Sequence, residues 1–282
     1  MLKPLLTSDI ILSRTSRRTY RTELLPDNLL ETIQEKIAEI SIGPLGTPLS
    51  FSLINLQEAS NQKLKLGTYG FIQGARYFIG GQILPSKIGF IDFGYALEKL
   101  ILELTGMGLG TCWLGGTFDR SEFARAMGLK EGNVIPAITP VGYATSTRGL
   151  GERLIRLGAG SKNRLAPEQL FFDEEPSKPL ILPVGHPWQM LLDAVRIGPS
   201  ASNNQPWRIV ADHDQFRFYI SRKPGYQKAF RQVDIQMIDM GIAMAHFDLV
   251  AKEKGVIPKW EISAGAPSFG GLEYVISVLL PE

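Results

Sequence analysis

Two polar segments of the sequence contain side chains that could bind an anionic, hydroxyl-rich ligand. The first, SRRTYR at residues 16–21, places three cationic side chains around one hydroxyl group: Arg17, Arg18, Arg21 and Thr19. Such a cluster can receive a phosphate, because an Arg side chain can donate two hydrogen bonds at once. A solvated basic face has the same composition, and from these residues alone it is the more common explanation.

The second segment, PSASNNQPW at residues 199–207, lies between a helix-like run and a strand-like run. Ser200 and Asn203 supply small donors and acceptors of the kind that suit hydroxyl groups. Gly198 and Pro199 are also what is expected where a helix ends and turns follow. The composition is therefore compatible with both a turn and a binding loop.

The sequence shows no side-chain pattern typical of a nucleophilic or metal-dependent site. Cys112 is the single cysteine, which excludes an internal disulfide. The three histidines, His186, His213 and His246, are too widely spaced to form a metal-ligand motif. A lone thiol beside an apolar Trp is more often packed in a core than used as a nucleophile. We therefore expect neither a metal ion nor a protein nucleophile.

Charge and composition limit the classes of partner. The chain of 282 residues has 30 Lys and Arg against 28 Asp and Glu, which is too balanced for a typical nucleic-acid-binding protein. Its hydrophobic content of 44% permits a sizeable core. Asp9 interrupts the apolar N-terminal stretch, and a basic cluster follows it, so we expect no signal peptide. The expectation is a soluble cytoplasmic protein without nucleic-acid or membrane partners.

The chain contains an internal repeat. Residues 91–113 (IDFGYALEKLILELTGMGLGTCW) align without a gap with residues 238–260 (IDMGIAMAHFDLVAKEKGVIPKW), and seven of the pairs are identical. Apolar residues recur every three or four positions in both copies, which predicts a helix that buries a broad stripe. Gly108 and Gly255 stand where a glycine that ends a helix is expected. Chance likeness of two helices is the alternative, but identities spread over helix, cap and Trp favour duplication.

The repeat extends upstream and divides the chain. The triplet Ile-Gly-Pro ends a helix-like run at residues 42–44 and again at residues 197–199. The loop that follows the triplet is three residues longer in the second copy, which indicates that only one copy still uses it. We predict two related α+β halves, residues 1–144 and 184–282, joined by a connecting segment at residues 145–183.

The two polar segments and three further motifs, taken together with the repeat, resemble those of the FMN-dependent nitroreductase family. That family has an R-x-S-x-R/K segment near its N-terminus, a P-S-x-x-N-x-Q-P-W loop, a G-L-G-x-x-W-x-G-G segment, a P-V-G-Y strand and a late basic pair. The corresponding segments are RRTYR (17–21), PSASNNQPW (199–207), GLGTCWLGG (108–116), PVGY (140–143), and the pair Lys162 and Arg164. Thr19 stands where the family has Ser. The resemblance covers nearly the whole chain, and the polar loop is its most specific element.

The resemblance implies a nitroreductase-like α+β fold. Its two halves would form a pseudo-dimer within one chain, with antiparallel-rich sheets flanked by helices. Family members are homodimers that bind FMN between subunits, with the Arg segment from one subunit and the P-S-x-x-N loop from the other. Here the Arg segment lies in the first half and the loop in the second. We therefore expect one FMN between the halves of a monomeric chain.

The resemblance also assigns roles to individual residues. Contacts with the FMN phosphate are expected from Arg17, Arg18, Thr19, Lys162 and Arg164. Arg21 would lie near the flavin pyrimidine, where a cation stabilises the charge of the reduced ring, unless it is a surface charge beside a helix. The ribityl chain and pyrimidine edge would contact Pro199, Ser200, Ala201 and Asn203. The side of the ring that carries N5 would contact Leu114, Gly115 and Gly116. Tyr69 is a candidate for the substrate pocket, and Gln205 and Trp207 are expected to be structural.

The function implied by the resemblance is that of an FMN-dependent NAD(P)H oxidoreductase. NAD(P)H would reduce the flavin at N5, and a small-molecule acceptor such as a nitroaromatic or a quinone would then take the hydride. This chemistry needs no protein nucleophile. Two alternatives stay open: a flavin-binding protein of low turnover that serves storage or sensing, and a relative that dehalogenates aromatic rings or fragments flavin.

Overall fold

Two long helices pack against each other at the centre of the fold. They are α4 (Lys87–Gly106) and α7 (Ile235–Glu253), and apolar residues occur on all sides of both, as expected for helices buried in a core. The computed structural model describes residues 6–145, 163–213, 215–225 and 232–281. None of the helices in these ranges is long and apolar enough to cross a membrane.

The first sheet has four antiparallel strands in the order β1-β2-β4-β3. In chain order, the elements up to this point are α1 (Thr7–Ser13), α2 (Asp27–Ala38), β1 (Ser50–Asn55), α3 (Leu56–Asn61), β2 (Tyr77–Gln82), α4, β3 (Gly110–Thr111), α5 (Arg120–Ala126) and β4 (Ile138–Gly142). The helix-like run predicted before the first Ile-Gly-Pro triplet, residues 29–40, corresponds to α2, and the helix predicted from the first repeat copy is α4.

The second sheet has five strands in the order β5-β6-β7-β9-β8, and only the pair β5-β6 is parallel. Its strands and helix α6 are β5 (Phe171–Asp173), α6 (Pro187–Ile197), β6 (Trp207–Asp212), β7 (Gln215–Ile220), β8 (Lys259–Glu261) and β9 (Glu273–Leu279). Short 3-10 turns lie at Pro167–Gln169 and Ala201–Asn203. The order β6-β7-β9-β8 repeats the topology of the first sheet, and the predicted α+β fold with two antiparallel-rich sheets flanked by helices is confirmed.

Strand β5 lies within the predicted connecting segment, residues 145–183. Phe171 pairs with Ile209 of β6, so this part of the segment is a strand of the second sheet. The predicted connecting segment therefore contributes an edge strand to the second sheet. The boundaries of the two halves stay a prediction.

The central helices touch through a reciprocal pair of glycines. A Cβ atom on Gly94 would lie 2.2 Å from the carbonyl oxygen of Ile238, and one on Gly241 would lie 2.0 Å from that of Ile91. Gly94 and Gly241 are equivalent in the repeat, and so are Ile91 and Ile238. Exchange of equivalent contacts is the property of an interface with two-fold symmetry.

Both central helices end in the same way. Gly108 has a φ of 80° and Gly255 a φ of 82°, a backbone conformation that glycine adopts without strain. The next amide in each copy bonds back to the helix, from Leu109 to Leu104 and from Val256 to Ala251, at 3.0 Å in both. The glycine C-terminal caps predicted from the sequence are confirmed.

Candidate functional site

A cavity of about 790 Å³ is lined by residues from both halves of the chain. Its walls come from α1 and the extended segment after it, from residues 113–117, from the loop at residues 199–203 and from α7. The polar side chains on these walls include Arg14, Thr15, Ser16, Arg18, Arg164, Ser200, Ser202, Asn203 and Asp239. Most sequence-predicted residues that the structure describes meet here.

Two arginines present buried nitrogen atoms to this region without partners. Nη1 of Arg14, and both Nε and Nη1 of Arg18, have no hydrogen-bond acceptor among the described residues. Arg164 adds a third cation, and burial, with smaller contributions from the charges of Arg14 and Arg196, lowers its pKa to about 10. Buried guanidinium nitrogens without acceptors are costly, so an anionic group is the partner that Arg14 and Arg18 suit.

Of the four residues predicted in the Arg segment, only Arg18 lines the cavity. Arg17 and Arg21 line a separate depression of about 390 Å³. The exposed Arg21 guanidinium lies 3.5 Å from the carboxylate of Glu23. Thr19 lines neither space, and its carbonyl oxygen accepts a hydrogen bond from the amide of Thr145. The structure thus does not bring Arg17, Thr19 and Arg21 to the cavity.

The residues that do reach the cavity belong to an earlier register of the same motif. Residues 14–18 read Arg-Thr-Ser-Arg-Arg, which matches R-x-S-x-R with no substitution. The segment pairs with a strand through Ser16 and Thr111. Alternate residues of an extended chain face the same side, which brings Arg14, Ser16 and Arg18 to the cavity, while Thr15 between them lines both the cavity and the separate depression. Sequence reasoning missed Arg14 and Ser16, although the complete motif was present.

All four predicted residues of the polar loop line the cavity: Pro199, Ser200, Ala201 and Asn203. Ser202 and Asn203 have φ values of 48° and 54°, a left-handed conformation that is uncommon outside glycine. Arg164 holds this conformation, since its Nη1 donates to Oδ1 of Asn203 at 2.7 Å and to the carbonyl of Gly198 at 2.9 Å. Lys162, the other predicted basic residue, lies outside the described residues.

The residues predicted to be structural have structural contacts. The side-chain Oε1 of Gln205 accepts a hydrogen bond from the backbone N–H of Leu165 at 2.9 Å, and the backbone N–H of Gln205 donates to Oγ of Ser200 at 2.9 Å. Trp207 is fully buried at the start of β6. Neither residue lines the cavity.

Equivalent aspartates support the loop in the two halves, but with different contacts. In the first half, Asp92 accepts hydrogen bonds from the amides of Leu45 and Thr47, at 2.8 and 2.9 Å, so both of its oxygens are bonded. In the second half, Oδ1 of Asp239 accepts from the amide of Ala201 at 2.9 Å, and Oδ2 has no partner within the described ranges. Burial is the main reason that the pKa of Asp239 is raised well above its ordinary value. Asp239 is therefore a buried carboxyl group on the cavity wall, and the sequence analysis did not predict it.

The predicted glycine segment forms another wall, with Leu114, Gly115 and Gly116 all lining the cavity. The amide of Leu114 is already bonded to the carbonyl of Ile138 at 2.9 Å. No acceptor for the amides of Gly115 and Gly116 is found in the described part of the chain. Arg120 bonds the carbonyl of Gly115 from the other side. The backbone N–H groups of Gly115 and Gly116 are thus not used by the described part of the protein.

The candidate for the substrate pocket does not lie on this cavity. Tyr69 is 67% exposed, whereas Phe71, two residues along the same segment, is a lining residue. Cys112 is buried, in agreement with the packing role expected for it.

Together, the walls suit a ligand with an anionic group, hydroxyl groups and an apolar part. Unpaired guanidinium nitrogens, the small polar side chains of the loop, and backbone amides provide the polar contacts, while Ile235, Ile238 and Ile242 provide an apolar surface. Among the described residues, no group of His, Cys, Asp and Glu side chains could hold a metal ion.

The sequence matches a family model described as "Putative TM nitroreductase" over residues 7–251. Among solved structures, a nitroreductase from Thermotoga maritima is 19% identical, with 99% of this chain and 96% of that chain covered and a TM-score of 0.63. This comparison shows that the two chains share a fold. No curated protein matches significantly.

Other nitroreductase structures align with only part of the chain. A family protein from Clostridium novyi is 18% identical over 50% of this chain and 87% of its own, with a TM-score of 0.41. A nitroreductase with bound FMN from Desulfitobacterium hafniense is 19% identical over 52% of this chain and 93% of its own, with a TM-score of 0.42.

Proposed function

The chain belongs to the "Putative TM nitroreductase" family, and on that premise we propose that it is an FMN-dependent NAD(P)H oxidoreductase with nitroaromatic, quinone or similar small-molecule acceptors. Membership of a nitroreductase family makes it an oxidoreductase. The observation that supports FMN is the set of buried, partnerless guanidinium nitrogens of Arg14 and Arg18 on a cavity with polar and apolar walls. When bound, FMN supplies the two-electron carrier that the side chains of this site lack.

The residues present fit a phosphorylated flavin. Arg14 and Arg18 would hold the phosphate and the electron-rich edge of the ring, because both have donors to spare. Ser16 adds a hydroxyl group between them. In this proposal Arg164 acts mainly through the loop that it holds, and Lys162 keeps its expected place near the phosphate.

The other walls fit the rest of the same molecule. Ser200 and Asn203 would bind the hydroxyl groups of the ribityl chain. The amides of Gly115 and Gly116 would donate to the ring, since glycine allows close approach of the backbone. Fixed N–H donors of this kind stabilise negative charge that develops during reaction without having to reorganise.

We propose one FMN per chain, bound between two halves that act as a fused dimer. The repeated sheet topology and the reciprocal contacts of Gly94 and Gly241 support the fused dimer. The mirror-image position is modified, because both oxygens of Asp92 are occupied by the shorter loop of the first half. Residues 183–195, which precede the second loop, contain no R-x-S-x-R segment. A chain that completes its own site needs no partner, so a monomer is expected.

The experiment that tests this proposal is the absorbance spectrum and flavin content of the purified protein, before and after incubation with excess FMN. One FMN per chain, and steady-state NAD(P)H oxidation with a quinone or a nitro compound, is the expected result. Two FMN per chain would show that the mirror-image site is intact. Failure to bind any FMN would overturn the proposal, and FMN binding without NAD(P)H turnover would favour a protein of low turnover.

A further inference from the structure

A buried acid and a buried base join the two central helices beside the cavity. Oε1 of Glu98, on α4, lies 2.9 Å from Nε2 of His246, on α7, and both side chains are at most 1% exposed. Nδ1 of His246 lies 2.8 Å from the carbonyl oxygen of Ala194 on α6. Because a carbonyl only accepts, Nδ1 carries a proton, and the ring is fixed with Nε2 directed at Glu98.

Glu98 also contacts two residues of the cavity wall. Its Oε2 accepts a 2.6 Å hydrogen bond from Nε1 of Trp113, and its Oε1 lies 3.7 Å from Nε of Arg14. Both Trp113 and Arg14 line the cavity. Arg14 therefore turns its Nε edge to Glu98, while Nη1 stays without an acceptor in the described chain.

A second acid has comparable contacts on α7. Asp248 accepts a hydrogen bond from Nε1 of Trp260 at 3.0 Å and one from the hydroxyl group of Tyr95 on α4 at 2.5 Å. Trp260 is the repeat equivalent of Trp113. The cation beside Asp248 is Lys252, at 2.7 Å, whose side chain is 48% exposed. Neither Asp248 nor Trp260 lines the cavity.

Each half thus supplies an acid that binds its own Trp and a side chain from the central helix of the other half. The two acids differ in their cation, since only Glu98 contacts an arginine that lines the cavity. We infer that Glu98, held by His246 from the opposite half, is a positioning residue that directs Arg14 toward the phosphate of FMN. This inference rests on the proposed function.

Positioning of Arg14 would strengthen FMN binding, because a guanidinium group binds a phosphate best when its orientation is fixed before the ligand arrives. Oε1 of Glu98 faces the Nε edge of Arg14, and the Nη1 edge is left for an anion. His246 and Trp113 in turn prevent Glu98 from changing rotamer. The second half of the chain would in this way support the phosphate contact without touching the ligand.

The experiment compares the affinities of FMN and riboflavin, which differ only in the phosphate, for the wild type and for Glu98→Gln. Quenching of flavin fluorescence in titrations of flavin-free protein gives both dissociation constants. The substitution is expected to weaken FMN binding by at least about tenfold, since the attraction of two charges about 4 Å apart in a partly buried site exceeds the free energy of a tenfold change in affinity. Riboflavin affinity is expected to stay unchanged.

Asp248→Asn is the matched control, because it removes the acid of the corresponding network. It should leave the ratio of FMN affinity to riboflavin affinity at the wild-type value. If Glu98→Gln does not fold, His246→Gln frees the same carboxylate and should lower the ratio in the same direction. Equal weakening of FMN and riboflavin, an unchanged FMN affinity, or an equal effect of Asp248→Asn would overturn the inference. A wild type that binds no FMN would instead overturn the proposed function.

Discussion

Nη1 of Arg164 donates a 2.7 Å hydrogen bond to Oδ1 of Asn203, although the two residues are 39 positions apart. The same side chain donates to the carbonyls of Ile197 and Gly198, at 2.8 and 2.9 Å. These bonds hold Asn203 at a φ of 54°, so the shape of the polar loop depends on a distant cation.

Replacing this cation should therefore disturb the loop. For Arg164→Ala we expect FMN affinity to fall by at least about tenfold, because several hydrogen bonds from a charged donor are lost. A fluorescence titration with FMN measures the effect. Arg217→Ala is the control, since Arg217 pairs with Asp212 at 2.7 Å and is not a cavity residue. Equal losses in both variants would contradict a specific role for Arg164.

Arg17 and Arg18 are neighbours in sequence, but only Arg18 lines the cavity. We predict that Arg18→Ala weakens FMN binding by at least about tenfold, because charged hydrogen bonds to the ligand are removed. Arg17→Ala should leave it nearly unchanged. The same titration measures both variants. A larger loss of FMN affinity for Arg17→Ala than for Arg18→Ala would show that the motif lies at residues 17–21.

The raised pKa of Asp239 predicts a pH-dependent stability in the flavin-free protein. The folded chain binds this proton more tightly than the unfolded chain. The contribution to stability is therefore fully present below the ordinary Asp pKa of about 3.9, and it is lost as the pH rises toward the raised value. Asp239→Asn cannot ionise, so it should remove this decline. Urea unfolding at a series of pH values measures it, and parallel pH profiles for wild type and variant would refute the prediction.

The equivalent substitution in the first half, Asp92→Asn, should destabilise the protein. Asp92→Asn replaces one of two bonded oxygens by an NH₂ group that faces the amide of Leu45 or Thr47. A buried donor left without an acceptor costs about 1–3 kcal/mol, so the free energy of unfolding should fall by that amount. Urea unfolding at neutral pH measures it, and equal stabilities for Asp92→Asn and Asp239→Asn would show that the two loops are supported alike.

Gly94 and Gly241 should be equally intolerant of a side chain. In either position a Cβ atom would meet a backbone carbonyl within 2.2 Å, and backbone cannot move aside as a flexible side chain can. We expect Gly94→Ala and Gly241→Ala each to destabilise the fold by about 1–3 kcal/mol or more. Gly265→Ala is the control, because nothing lies within 4 Å of its position. Thermal unfolding compares the three, and a stable Gly241→Ala variant would argue against the reciprocal contact.

The architecture was largely accessible from the sequence. Helical periodicity, glycine caps and the constant spacing of the repeat depend on neighbours in the chain, and the structure shows α4 and α7 with the caps at Gly108 and Gly255. The polar loop was identified by its composition and the glycine segment by the resemblance to the nitroreductase family, and both line the cavity.

The register of the Arg segment was not accessible in the same way. Arginines occur at positions 14, 17, 18 and 21, so two overlapping readings were available. In an extended chain, a shift by an odd number of residues reverses the side on which every side chain lies. Only the pairing of this segment with the residues around Thr111 decides which arginines face the cavity.

The amino-acid sequence by itself determined the helices, the duplication and the family, because these depend on local periodicity and on residue types at fixed spacing. The tertiary structure alone decided which polar groups meet. Glu98 and His246 are 148 positions apart, and Asp239 differs from Asp92 only in what the loop of its own half leaves unbonded. Such contacts depend on how the two halves pack in space, and no local pattern in the sequence shows which distant residues will meet.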